Sequence, residues 1–112
     1  MDHDRLPAPS ALILASAADG PVHGYRIGKE VERRTGGRIA LGATTLYRVI
    51  RQLLESGLLA EAAAPRDADS DDERRRYFRI TPAGRRALEA EVRRLRTVLE
   101  ATEWAVSPKG SR

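Results

Sequence analysis

The sequence contains no cysteine. That excludes disulfide bonds, thiolate metal sites and cysteine nucleophiles, and it fits a reducing compartment. Aromatic side chains are scarce. Tyr25, Tyr47, Tyr77, Phe78 and Trp104 are the whole set, so the core has to be mainly aliphatic. Lysine is nearly missing too: Lys29 and Lys109 are two of 20 basic residues, and the rest are arginine. No apolar run approaches the ~20 residues needed to span a bilayer. The apolar stretch from Ser10 to Ala18 follows Asp2, Asp4 and Arg5, so it lacks the positive leader of a secretory signal and reads as a buried helix. His3 and His23 are the only histidines. Neither stands where it would activate a serine, and no glycine-rich phosphate loop follows a strand. Asp67, Asp69 and Asp71 open like a calcium loop, but Asp72 and Phe78 occupy the positions that need glycine and glutamate. These absences predict a cytoplasmic protein that is not an enzyme, spans no membrane and uses no cofactor or metal.

What is present suits one small domain. A chain of 112 residues can bury one modest core. Lys and Arg number 20 against 16 Asp and Glu, a net charge of +4, which leans toward a polyanionic partner only if the charge is gathered in one place. Pro7 and Pro9 lead into a helix over Ser10–Ala18 that is apolar almost all round and belongs in the core. Asp19-Gly20-Pro21 ends it. A second helix is expected over His23–Arg34, with Gly24, Ile27, Gly28 and Val31 forming a narrow stripe for close approach of another helix. A third runs over Ala43–Ser56 and buries Leu46, Ile50 and Leu53. Leu58–Ala62 and Arg74–Ile80 read as two strands around an aspartate-rich loop, 65–73, the second alternating Arg76, Phe78 and Ile80 against Arg75, Tyr77 and Arg79. Thr81 as N-cap and Pro82 at the first position open a last helix reaching Val106. The class is mainly α: a winged helix-turn-helix with a two-stranded β wing and a long C-terminal helix. Residues 1–81 make the DNA-binding domain, 1–7 being a flexible tail; 82–106 make a dimerisation helix, and 107–112 a second tail.

This order places the third helix in the major groove of DNA with the hairpin beside it. Thr44, Tyr47, Arg48 and Arg51 share the face of that helix turned away from the core. Arginine bridges guanine O6 and N7, and threonine touches a thymine methyl. Arg74, Arg75, Arg76 and Arg79 crowd the return strand, where arginines lie along phosphates or enter the minor groove. The run Asp67 to Glu73 opposes that reading, since it can neutralise those arginines. A winged helix that binds another protein and no DNA is therefore the competing expectation. The two separate on whether helix three and the wing arginines form one exposed patch, or the acidic run folds over them.

Three stretches carry a family resemblance: His23-Gly24-Tyr25; Thr45-Leu46-Tyr47 with Leu53 to Leu59 (LLESGLL); and Arg76 to Arg85 (RYFRITPAGR). In this order and at these spacings the chain resembles the PadR family of bacterial transcriptional regulators over about residues 10–100. Thr44 stands where the family often has glycine. The resemblance implies a winged-helix dimer, mostly a repressor, with Thr45, Tyr47 and neighbouring polar residues facing double-stranded DNA. On the last helix, Leu88, Val92, Leu95, Leu99, Thr102 and Val106 recur at spacings of four and three, a short heptad seam that predicts a homodimer. Trp104 lies off this seam and is expected to pack on the partner's domain. The resemblance adds a second role for it, beside a small planar aromatic effector held at the dimer interface.

Overall fold

The computed structural model describes residues 5–69 and 74–108. Four helices and three short strands follow one another as α1 (Ala8–Ser16), β1 (Val22–His23), α2 (Gly24–Arg34), α3 (Ala43–Glu55), β2 (Leu59–Ala62), β3 (Tyr77–Ile80) and α4 (Pro82–Val106). The architecture is a winged helix. It is mainly helical, with a three-stranded antiparallel sheet in the order β1-β3-β2 and a long C-terminal helix.

Helix α1, apolar almost all round, packs against α2, α3 and α4 and leaves only Ala8 and Ala15 exposed. Ile13, Leu14 and Ala17 are fully buried with Ile27 and Val31 of α2 and Phe78 of β3. Leu46, Val49, Ile50 and Leu53 of α3 and Leu59 of β2 complete this aliphatic core. A helix leaves its last carbonyls without partners. Here the Ile80 N–H of β3 donates to the Ala17 carbonyl at 3.2 Å, and the Arg85 guanidinium of α4 donates to Ala18 at 2.9 Å. The end of α1 is thereby tied to the wing and to the last helix.

Two side-chain N-caps are present, of which Thr81 is the one expected from the sequence. The His23 ring is the N-cap of α2, its Nδ1 accepting from the Arg26 N–H at 3.1 Å. The Thr81 hydroxyl accepts from the Gly84 N–H at 3.0 Å and donates to the Gly57 carbonyl at 2.7 Å. One side chain thus caps α4 and docks it on the turn that follows α3. Gly84 completes the dock: its position lies against the Leu58 carbonyl, with no room for a Cβ.

The sheet differs from expectation in two ways. Strand β1 adds to the wing, pairing His23 with Tyr77 and Val22 with Phe78. Strand β3 begins only at Tyr77, so Arg74, Arg75 and Arg76 lie before it and not within it. Pairing ends at Ala62–Tyr77, where β2 itself stops, so the residues before Tyr77 have no partner strand. The expected in-and-out alternation also fails at Tyr77. It is buried like Phe78, and the His23 ring, on the neighbouring strand β1, meets it edge-on at 5.4 Å.

Among the described residues, one charge is buried. Glu91 of α4 is 2% exposed and accepts the Leu6 N–H at 3.2 Å and the Arg94 guanidinium. The Arg94 hydrogen bond, helped by Leu6 and opposed by burial, holds this carboxyl below the usual range. A carboxyl depressed in the folded state stabilises above its unfolded pKa, about 4.3, and loses that contribution as pH falls through its folded value. Glu91→Gln should therefore melt below the parent at pH 7, and the gap should close in acid. A gap of constant size down to strongly acid pH would show that the carboxylate is not what holds the N-terminal segment to α4.

Candidate nucleic-acid interface

Helix α3 divides its residues as a recognition helix must. Leu46, Val49, Ile50 and Leu53 face the core; Thr44, Tyr47, Arg48 and Arg51 are exposed, and Thr45 is half-buried. Arg48 and Arg51 make no ion pair with other described residues, so their guanidinium groups face solvent. Tyr47 differs from its neighbours in being supported. Its phenol lies across the first turn of α2, where Gly24 leaves the space; a Cβ there would come 2.6 Å from Tyr47 Cζ. Gly28, one turn on, faces Leu46 in the same way, with 3.2 Å to Leu46 Cδ2. The stripe of small residues on α2 is thus the surface on which α3 sits.

The wing arginines reach the same surface from the other side. Tyr47, Tyr25, Arg75 and Arg76 line one groove together with His23 and Gly24. Arg76 Nε is 2.8 Å from Glu61 Oε2, across the hairpin, and its guanidinium lies 5.4 Å from the Phe78 ring. That hydrogen bond holds Glu61 below the usual carboxylate range and raises Arg76. Glu61 was not a candidate from sequence, and it partly offsets the charge of Arg76. Arg75 lies over Tyr25, 5.3 Å from the ring centroid, while Arg74 and Arg79 are exposed.

Asp67 lines a different cleft, of about 570 Å³, among Asp19, Arg26, Arg33, Arg34 and Pro65. No residue of α3 borders that cleft, so this part of the acidic segment does not cover the exposed face of α3. Residues 70–73, which include Asp71, Asp72 and Glu73, lie outside the described residues.

The seam of α4 falls into two parts. Leu88 packs against the core. Beyond it Val92, Leu95 and Leu99 are between 42 and 56% exposed, Thr102 is exposed, and Val106 is 84% exposed. Val98, 48% exposed, widens this stripe and was not foreseen. Trp104 is 63% exposed and donates its indole N–H to the Ala101 carbonyl at 3.1 Å. Nine residues from Leu95 at 3.6 per turn, it stands roughly 180° from the stripe. Among the described residues, no helix is long and apolar enough to cross a membrane.

Residues 13–90 match the model of the transcriptional regulator PadR-like family. The chain is 40% identical over 83 residues to the transcriptional regulator Rv3488 of Mycobacterium tuberculosis, covering 74% of this chain and 71% of that one. It is 38% identical over 80 residues to an uncharacterized 37.1 kDa protein in transposon TN4556 of Streptomyces fradiae, covering 71% of this chain but 21% of that protein. Among solved structures, a PadR family transcription regulator from Clostridium difficile is similar with a TM-score of 0.74 at 19% identity, over 90% of this chain and 100% of that one. Bacillus subtilis PadR in complex with operator DNA is similar with a TM-score of 0.60 at 16% identity, over 74% of this chain and 45% of that one.

Proposed function

The chain belongs to the PadR-like family of transcriptional regulators, and on that premise we propose that it is a sequence-specific DNA-binding repressor acting as a homodimer. Residues 1–81 form the DNA-binding unit and 82–106 the dimerisation helix. The observation that carries this reading is the shared surface of α3 and the wing: Tyr47 lies in one groove with Arg75 and Arg76, and Arg48 and Arg51 stand exposed on the same helix. In the major groove, Thr44, Thr45, Tyr47, Arg48 and Arg51 would meet base edges and flanking phosphates, while Arg74 and Arg75 follow the backbone. Arg76 would contribute less, since Glu61 holds it. The operator complex of Bacillus subtilis PadR, a protein of similar fold, supports DNA as the ligand. The alternative reading, a protein-binding module, needs the acidic segment over these arginines, and the position of Asp67 lends it no support. Trp104 stands on the side of α4 opposite the stripe, so a planar aromatic effector beside it would lie outside an α4–α4 seam, with the indole as its fluorescent reporter.

The test is an operator selected from random duplexes and titrated by fluorescence anisotropy. Arg51→Ala should lose about 1–3 kcal/mol on that operator and much less on a scrambled duplex. Equal losses on both would make Arg51 a phosphate contact. Unchanged affinity on both would remove α3 from the recognition role.

A further inference from the structure

We infer that the start of α2 supplies a further DNA contact, in which Tyr25 and Lys29, with Arg75 from the wing, hold a backbone phosphate beside the groove read by α3. The inference rests on the DNA-binding reading and names a contact that neither the family match nor the sequence motifs assign. Tyr25 is 57% exposed, in a chain with few aromatic residues. Two cations from different elements converge on its ring: Lys29 Nζ at 5.5 Å and Arg75 Cζ at 5.3 Å from the centroid. An anion beside the ring would meet two donors, the Lys29 ammonium and the Tyr25 hydroxyl.

The nearby carboxylates do not supply that anion to Lys29. Glu30 is occupied by Arg33 at 3.0 Å and Arg34 at 3.2 Å. Glu32 lines one groove with Lys29, yet Lys29 forms no ion pair with another described residue. The position also suits a phosphate. Tyr25 shares one groove with Tyr47, Arg75 and Arg76, and a second with Lys29, Ala43 and Tyr47, so it stands between the wing and the first turn of α3. A duplex seated on α3 and the wing would carry its backbone past this point. Lysine and arginine donate to phosphate oxygens without regard to sequence, and a phenol adds a hydroxyl donor.

Four proteins decide the matter: parent, Lys29→Met, Tyr25→Phe and Arg51→Ala, titrated with operator and scrambled duplexes across a salt series. All three side chains are exposed, so the melting temperatures should stay together. Lys29→Met should weaken both duplexes alike and lower the salt slope by about 0.9, which narrows the parent's affinity drop between about 50 and 200 mM salt by roughly threefold. Tyr25→Phe keeps the ring and loses the hydroxyl, so it should weaken binding without changing the slope. Replacing operator phosphates one at a time by uncharged methylphosphonates should then reveal one position that weakens the parent and leaves Lys29→Met unaffected, while Arg51→Ala still responds to it. If Lys29→Met keeps the parent's slope, or responds like the parent at every phosphate, this contact is overturned and the DNA-binding reading stands. If the parent binds no duplex at any salt, that reading falls and takes this contact with it.

Discussion

Gly84→Ala is expected to lose about 3 kcal/mol of stability, the upper part of the usual range for overpacking. On helix propensity alone the change should help, since alanine is favoured over glycine inside a helix by roughly 0.5–1 kcal/mol. The expected sign is opposite because of what the methyl group meets. It would run into the Leu58 main-chain carbonyl and come 2.9 Å from Ile80 Cγ1. A backbone carbonyl cannot swing aside as a side chain can. The Leu58 oxygen is also engaged, accepting the Thr81 N–H at 3.1 Å, so retreat would break the hydrogen bond that docks α4. Small domains have about 5–15 kcal/mol in total, and in a chain of this size the loss should lower the melting temperature by more than about 10 °C. Gly28→Ala is the control. Its methyl would meet only Leu46 Cδ2, at 3.2 Å, the end of a side chain that can shift. That variant should melt close to the parent. Equal melting temperatures for Gly84→Ala and the parent would mean that α4 does not rest on the Leu58 turn as described.

Much of this architecture is written locally and was legible for that reason. Thr81-Pro82 marks the start of α4 because a hydroxyl cap and a missing N–H both act within one turn. The division of α3 into Leu46, Ile50 and Leu53 against Tyr47, Arg48 and Arg51 follows from helical period alone. The features that escaped depend on partners distant in the chain. Strand β1 is two residues long and exists because Tyr77 and Phe78, more than fifty positions away, offer it hydrogen bonds. Reading Arg74 to Ile80 as one strand failed because its length is set by where its partner β2 stops, at Ala62. Glu91 looks like any surface glutamate on a helix until the Leu6 N–H, 85 residues earlier, is brought against it. At the interface, Tyr47, Arg48 and Arg51 were legible from spacing. The support of Tyr47 by Gly24, the hold of Glu61 on Arg76 and the cations around Tyr25 were not, since each joins separate elements.

The largest functional effect is expected from Leu95→Glu. Helix α4 is about 37 Å long at 1.5 Å per residue. Its first turns bury Gly84, Leu88 and Glu91 against the protomer's own core, and the same stripe then continues beyond it through Leu95, Val98, Leu99, Thr102 and Val106. Apolar side chains repeated along one face and left in water favour a second copy of that face, and heptad spacing suits a helix as the partner. Leu95 is the best place to intervene. It is 50% exposed, so within one protomer glutamate can keep its carboxylate in water and the fold should survive. In the proposed dimer the same substitution buries two carboxylates, one per protomer, in an apolar seam. Burying an unpaired charge is among the most destabilising changes available. Leu95→Glu should therefore sediment as a folded monomer at micromolar concentration, with the circular dichroism of the parent. Operator binding should fall with it, by about two to four orders of magnitude, because joining two half-site readers is worth that much in avidity. Affinity for an isolated half-site should change little, since Leu95 lies on α4, away from Tyr47, Arg51 and Arg75. A variant that remains dimeric would move the association surface away from α4. A monomer that still holds the full operator as tightly as the parent would show that one recognition helix is enough.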